Sequence, residues 1–304
     1  MDLVSVVIPT LDRPKCLKRA LASVLSQAGL EGVALEIVVV DNSRSGAAMA
    51  TLADGGVKAV HEPNSGVASA RNAGLRAARG RWVAFLDDDE EASPRWLAHL
   101  LEVVRRTGAD AVFGPIEGRA EGGSEIGAFS PYFSRRIDRA DGADVTSMAA
   151  YLGTNNSMFD RARCLAKPDP FDVALNESGG EDSLLLWRLR QTGRRFAWAA
   201  EASVIEWAPP RRLTWAYVRR RKFLSGQIRV FVRHMAAPRR WDVIAIWMSL
   251  GLAQFVLAGA AALALRTVAP HRSRRAQATA FGGLGKVLWL RNFRSALYGG
   301  GLVS

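Results

Sequence analysis

The chain has 304 residues, 49% of them apolar and 23% charged, with 41 Lys and Arg against 29 Asp and Glu for a net charge of +12. That balance excludes a disordered chain, and 28 Gly with 12 Pro is too ordinary for a collagen-like or low-complexity one. The two cysteines, Cys16 and Cys164, stand far apart and outside any ligand spacing, so a disulfide scaffold and a zinc knuckle are excluded too.

Short apolar runs alternate with helical patterns from the start. Residues 3–8 read as a buried strand. Residues 14–27 place Leu17, Leu21, Val24 and Leu25 on one helical face, with Pro14 suited to the first turn. Residues 35–40 form a β-branched strand and 57–61 a third. Residues 67–78 read as a helix closed by Gly80, and 82–86 as a fourth strand running into Asp87. This alternation predicts an α/β fold, Rossmann-like, with a mostly parallel sheet flanked by crossover helices. Ligands in such sheets sit beyond the carboxyl ends of the strands. The residues there are Pro9, Thr10, Leu11 and Asp12 after the first strand, Asp41, Asn42 and Ser43 after the second, and Asp87, Asp88 and Asp89 after the fourth.

No GxGxxG or GxxxxGK[ST] loop follows the first strand, which removes dinucleotide oxidoreductases and P-loop enzymes from the leading readings. The acidic run offers other chemistry. Three consecutive aspartates repel unless cations or solvent compensate, and Mg2+ or Mn2+ binds through one or two carboxylates plus substrate phosphates. Alternation along extended backbone puts Asp87 and Asp89 on one face. A solvated acidic turn continuing into Glu90 and Glu91 is the plain alternative, above all for Asp88.

Five segments, in this order, resemble the family 2 glycosyltransferases: VSVVIPTLDRP, EIVVVDNS, NSGVASARNAG, FLDDDE and GGEDSLLLWRLRQTG. The resemblance covers roughly residues 3–235 and implies a GT-A catalytic domain, nucleotide-sugar dependent and inverting. It further implies that Pro9, Thr10 and Leu11 line the nucleoside pocket mainly through backbone, that Asp41 accepts from the base, and that Arg71 approaches the diphosphate. Asp87 and Asp89 would flank the metal and the sugar diphosphate, with Asp88 beside them, and Asp182 would be the base with Glu181 its neighbour. A UDP-sugar is favoured as donor by the same likeness. Asp182 also suits a helix cap after Gly179 and Gly180.

One departure is the absence of a histidine that many relatives carry after the strand following GGED; SVIEWAPPRR offers Glu206 and Trp207 instead. Glu206 suits either a metal-side ligand or a partner for Arg211 and Arg212. Residues 115–149 lose periodicity and read as an acceptor-side loop in which Tyr132, Phe133, Arg135 and Arg136 cover a sugar, or as a disordered insertion. Asn155 and Asn156 suit satisfied turn residues better than contacts to sugar hydroxyls.

The last third differs in charge. Residues 1–206 hold 24 basic and 28 acidic side chains, whereas 207–304 hold 17 basic and one acidic, Asp242. Residues 219–227, RRRKFLSGQ, resemble the basic patch with which processive relatives grip a diphosphate, although no QxxRW follows; a headgroup-facing basic helix is the preferred reading. Residues 243–265 carry no formal charge and as a helix would reach roughly 34 Å, enough for a hydrocarbon core of about 30 Å. A long core helix of a soluble protein is the competing reading. Residues 276–290, interrupted by Gly282, Gly283, Gly285 and Lys286, read as interfacial or half-inserted. The opening MDLVSVVIPT lacks a basic leader, so the catalytic part is expected to remain in the cytoplasm.

The expected organisation is a catalytic domain at 1–210, with a nucleotide-sugar half at 1–114 and an acceptor half at 115–210. A basic helical linker at 211–240 and a membrane-associated tail at 241–304 follow. The expected function is transfer of a sugar to a lipid-linked or polysaccharide acceptor at the membrane, with no nucleic-acid partner. The rival readings are a nucleotidyltransferase of similar sheet architecture and a non-catalytic basic membrane-binding module.

Overall fold

A computed structural model of the chain describes residues 2–52, 56–123, 125–236 and 239–290. It divides into two compact units, one made of Met1–Asn176 with Leu185–Ala208 and the other of Glu177–Leu184 with Pro209–Ser304.

In the first unit the elements run β1 (Asp2–Thr10), α1 (Pro14–Leu25), β2 (Val33–Asp41), α2 (Met49–Leu52), β3 (Lys58–His61), α3 (Val67–Ala77), β4 (Trp82–Phe85), β5 (Glu90–Ala92) and α4 (Trp96–Thr107). They continue as β6 (Ala111–Phe113), β7 (Ile116–Ala120), α5 (Ser130–Phe133), β8 (Ser157–Asp160) and α6 (Arg161–Cys164). Next come α7 (Glu181–Gln191), whose first turn belongs to the second unit, β9 (Phe196–Trp198) and β10 (Val204–Ala208). The main sheet has seven strands in the order β3-β2-β1-β4-β8-β6-β9, in which only β8 runs antiparallel to its neighbours. A smaller sheet pairs β5, β10 and β7.

Successive side chains of a strand face opposite ways, and both faces of β1 are dry. Val4, Val6 and Ile8 pack with Leu17, Val24, Leu97 and Leu100 on one side, and Val7 packs with Ala70 and Ala73 of α3 on the other. Burial on both faces accounts for the unbroken apolar runs of the sequence. A chain of edge-to-face rings, Phe171–Phe85–Phe159–Phe113–Phe196, fills the second layer.

Two local expectations change. The α3 helix ends at Ala77 with Ala78 as its cap, whose N–H donates to Gly74 O; Gly80 is instead where the chain passes so close to β1 that a Cβ would lie 2.6 Å from Ser5 N. The aperiodic stretch after Pro115 is ordered through its described residues. Phe133 is buried, and Ile116 and Arg135 exchange backbone hydrogen bonds of 3.0 Å.

The second unit holds α8 (Trp215–Met235), α9 (Trp241–Ala264) and α10 (Pro270–Val287). Of the α9 side chains only Ile244, Gly251 and Ala262 are buried, while Leu257 is 71% and Leu263 73% exposed, so α9 is not a core helix. Most of the segment 276–290, expected to be interfacial or half-inserted, lies in α10, a continuous helix that begins earlier and runs through its glycines. Those glycines mark helix contacts, since a Cβ at Gly283 would lie 2.5 Å from Gly251 O and one at Gly285 would collide with Phe223 O. Gly226 meets Gly282 in the same way. Such close approach offsets the roughly 1 kcal/mol cost of each helical glycine. The expected tail beyond residue 290 lies outside the described residues.

Candidate active site

The carboxyl ends of β1, β2 and β4 meet where the strand order reverses, since β1 lies between β2 and β4, the usual ligand crevice of an open parallel sheet. Thr10 ends β1 and stands opposite Asp41, the last residue of β2. Its carbonyl accepts from Asn42 N at 2.9 Å, and its hydroxyl donates to Asp88 Oδ2 at 2.8 Å. Pro9 and Leu11 on either side are half-buried, and Asp12 turns the chain with a left-handed φ of 52°. That turn aims Arg13 back at the acidic run, where its Nη1 donates to Asp88 Oδ1 at 3.1 Å and Asp89 Oδ2 at 3.2 Å.

Asp41 is buried, its two oxygens accepting from Ser43 N at 2.9 Å and Ala48 N at 2.7 Å. Each carboxylate oxygen has a second lone pair for a ligand donor. Asn42 ties this end to the segment carrying Arg71: its amide donates to Glu62 O and Asn64 O, and its Oδ1 accepts from Gly66 N at 2.8 Å. Gly66 has a φ of 135°, which leaves that position to glycine. Arg71, buried on α3, donates to Asp87 Oδ1 at 3.2 Å and lies 5.8 Å from the Phe171 ring.

The sequence expectation that Asp87 and Asp89 share a strand face is corrected. β4 stops at Phe85, and Glu90 N donates to Asp87 O at 3.0 Å, closing a turn at the acidic run. Asp87 pairs with Arg71, while Asp88 and Asp89 share Arg13. Asp88 is not a solvated turn residue either: burial pushes its carboxyl up to about 7, with the Asp89 charge adding to the rise and Arg13 opposing it. Glu90 is fully buried, accepts from Asp87 N at 3.0 Å and Asn155 Nδ2 at 2.9 Å, and is held well above its ordinary value by burial and then by Asp87.

Arg13 and Glu90 are the site residues that sequence reasoning passed over. The signal for Arg13 was its place in TLDRP, directly after a residue able to adopt positive φ.

Glu206 stands opposite Glu90 in the β5–β10 ladder, and its charge adds to the rise of the Glu90 carboxyl. Trp207 donates to Glu91 Oε2 at 2.8 Å and stacks under Arg19. Arg135 is not a lid residue: it donates to the carbonyls of Gly114, Gly153, Asn155 and Asn156, and Phe133 is core. Asn156 is a satisfied turn residue with φ of 47°, bonded to Trp96, Pro115 and Ala202. Glu181 and Asp182 open α7 in the second unit, where Asp182 Oδ1 accepts from Ser183 N at 2.5 Å and Glu181 is buried.

Among the described residues no three His, Cys, Asp or Glu side chains gather into a metal cage. A hard cation here would therefore draw only one or two carboxylates from the protein and its other ligands from phosphate oxygens. The two carboxylates expected to flank it, Asp87 and Asp89, are met here by separate cations, Arg71 and Arg13. They sit in a run with Asp88 and Glu90, whose carboxyls are raised first by burial and then by the neighbouring carboxylates.

Residues 5–161 match the family model described as glycosyl transferase family 2. The chain is 32% identical over 233 residues to the succinoglycan biosynthesis protein ExoM of Rhizobium meliloti (strain 1021), covering 74% of this chain and 73% of ExoM. It is 31% identical over 212 residues to the succinoglycan biosynthesis protein ExoO of the same organism, covering 66% of this chain and 60% of ExoO. Among solved structures, residues 1–349 of S. aureus TarS in complex with UDP superpose with a TM-score of 0.52 at 17% identity, covering 94% of this chain and 90% of that one. The mostly parallel sheet is the GT-A arrangement implied by the sequence motifs. These matches set aside the nucleotidyltransferase and non-catalytic readings: the chain belongs to glycosyl transferase family 2.

Proposed function

We propose that the protein is an inverting, metal-dependent glycosyltransferase. It moves a sugar from a nucleoside diphosphate sugar, with UDP-sugars favoured, to a hydroxyl of a lipid-linked or polysaccharide acceptor at the cytoplasmic face of the membrane. The observation that carries this reading is the continuous run Asp41, Thr10, Asp88, Arg13 and Asp89 at one edge of the sheet, with the Arg71–Asp87 pair beside it. The succinoglycan names of ExoM and ExoO support a polysaccharide product. The complexes of TarS with UDP and UDP-GlcNAc make uridine donors the first to test.

In this reading Asp41 accepts an N–H of the base, and Pro9, Thr10 and Leu11 flank the nucleoside. Arg71 is a fixed positive charge toward the diphosphate, held on its bearing by Asp87, so that little reorganisation is required as the leaving group gains charge. Mg2+ or Mn2+ held by Asp87 and Asp89 would supply Lewis-acid neutralisation of that diphosphate. Asp182 takes the proton of the acceptor hydroxyl as the oxygen bonds to the anomeric carbon and the bond from that carbon to the diphosphate oxygen breaks. One displacement gives one inversion. Glu181 steadies the first turn of α7 beside the base.

The membrane assignment is supported by α9. At 24 residues it is about 36 Å long, it exposes its apolar side chains, and Trp241 and Trp247 lie in its first two turns. Asp182→Asn tests the chemistry: transfer should fall by at least about 10² while donor binding is retained, and the anomeric proton of the wild-type product should report inverted configuration. A retained configuration refutes the single displacement, and lost donor binding assigns Asp182 a structural role.

A further inference from the structure

The helices of the second unit pack in a register that fixes which charges stand beside each part of α9. α10 runs back along α9: Trp289 Nε1 donates to Met248 Sδ at 3.3 Å, Gln254 Nε2 to Thr279 O at 2.7 Å, and Ser273 Oγ to Ala262 O at 2.7 Å. α8 follows α10 in the same direction. Arg219 Nη1 donates to Gln277 Oε1 at 3.5 Å, the Phe223 carbonyl abuts Gly285, and Gln227 donates to Leu288 O. At Gly282 all three helices meet, because a Cβ there would lie 3.5 Å from Gln254 Nε2 and 3.6 Å from Lys222 O. Gln254 is near the middle of the 24-residue α9. The cationic run RRRK at 219–222 of α8 therefore stands level with the centre of the apolar helix.

This register decides how α9 meets a membrane. A crossing helix puts its middle at the centre of the hydrocarbon, and here the crossing would carry residues 219–222 to the same depth. Cations are costly there even when carboxylates such as Glu177, Glu181 and Asp182 of the same unit accompany them, since a pair must leave water together. α10 adds to the cost. Its uncharged stretch between Arg275 and Lys286, residues 276–285, is about 15 Å long against a hydrocarbon core of about 30 Å. Lying flat removes both penalties. The side of α9 turned away from α10 presents Ile246, Leu250, Leu252, Val256, Leu257 and Leu263, each more than half exposed, within a stretch that has no formal charge. That strip can enter one leaflet while α10 and α8 keep their cations at headgroup level. The two ends agree with this. Exposed Arg239 and Arg240 precede α9 and exposed Arg266, Arg272, Arg274 and Arg275 follow it, and a flat helix brings both groups to one phosphate surface.

We infer that α9 is an in-plane anchor whose apolar strip sinks into one leaflet of a bilayer containing anionic phospholipid, and that neither α9 nor α10 crosses the membrane. This rests on the proposed membrane location and gives it a geometry: the turn between α9 and α10 stays on the side from which the chain binds. A single interfacial helix carries its apolar and polar faces around one circumference. Here α9 supplies the apolar layer, and α10 with α8 supplies the polar one.

The test expresses the full chain in a bacterium with one cysteine added at an exposed position, Thr267→Cys between α9 and α10 or Ser225→Cys on α8. A membrane-impermeant maleimide is applied to spheroplasts and to inverted membrane vesicles. Peptide mass spectrometry reads each labelled position, so Cys16 and Cys164 need no replacement. Both added cysteines should be labelled in inverted vesicles and both protected in spheroplasts. Labelling of Thr267→Cys in spheroplasts, or only after detergent, overturns the inference while leaving membrane attachment in place. Recovery of the protein in the soluble fraction overturns the inference and the membrane location together, and a dimer found there would assign the apolar strip to a second copy of the chain. A second measurement uses Leu250→Glu with Leu257→Glu, both exposed and so outside the helix packing. Partitioning of the purified chain into phosphatidylcholine vesicles containing phosphatidylglycerol should fall by about tenfold or more. Undiminished partitioning also overturns the inference, because another surface would then hold the membrane.

Discussion

The Thr10 hydroxyl donates to the Asp88 carboxylate at 2.8 Å, joining the last residue of the first strand to a residue 78 positions later in the acidic turn. This bond and the Arg13 bridge hold a buried carboxyl among other carboxylates, at a cost in the absence of a cation. Burial pushes Asp88 up to about 7 and moves Glu90 in the same direction. Both protons are then held more tightly in the folded than in the unfolded chain. The stability they contribute is complete below the unfolded value of about 4 and is lost as pH rises toward 7. In EDTA, wild type should lose on the order of 1–3 kcal/mol across that window, and Asp88→Asn should lose less. Denaturant melts at about pH 3.5 and about pH 7.5, on either side of that range, check it; equal pH slopes for the two proteins would contradict the burial argument.

Arg71 is buried and anchored by Asp87, so its charge is available to a phosphate without reorganisation. Arg71→Gln leaves Asp87 without that cation and is expected to weaken nucleoside diphosphate binding by about tenfold or more, with about 1–3 kcal/mol lost in stability. Arg71→Lys should recover stability better than affinity, since a lysine does not reproduce the planar fork. Calorimetry on the three proteins measures both quantities, and unchanged affinity in Arg71→Gln would remove Arg71 from the donor site.

Arg135 fastens four backbone carbonyls of the segments around Gly114 and Asn156, whereas the adjacent Arg136 is exposed. Arg135→Ala should cost about 2–4 kcal/mol of stability by leaving those acceptors unsatisfied, and Arg136→Ala within about 0.5 kcal/mol of nothing. Urea melts of the pair decide the matter. Equal, small effects would restore Arg135 to the role of a mobile acceptor-side residue.

What could be read beforehand follows from how local each signal is. The strands β1, β2 and β4 are runs of apolar residues buried on both faces, so their letters announce them, and the polar residues at their ends fall on one sheet edge by topology alone. β5, β6 and β9 are three residues each and take their form from long-range pairing, which no local pattern carries. Asp88 and Glu90 were opaque for a different reason: a run of acids normally means a solvated surface, and it takes partners distant in sequence, Thr10 and Arg13 for Asp88 and Asn155 and the β10 pairing for Glu90, to place them inside. The glycines of α10 looked like interruptions because a helix in water is weakened by glycine. In the folded chain they are where α8 and α9 come closest.

The most direct test of the account is calorimetric titration of the full chain with a panel of nucleoside diphosphates, in Mn2+ and again in EDTA, for wild type, Asp89→Asn and Asp41→Asn. The account predicts a preferred diphosphate whose affinity falls about tenfold or more on chelation, loses its metal dependence in Asp89→Asn, and loses its base preference in Asp41→Asn. Binding that ignores both the ion and these two carboxylates would contradict a shared donor site at this edge of the sheet.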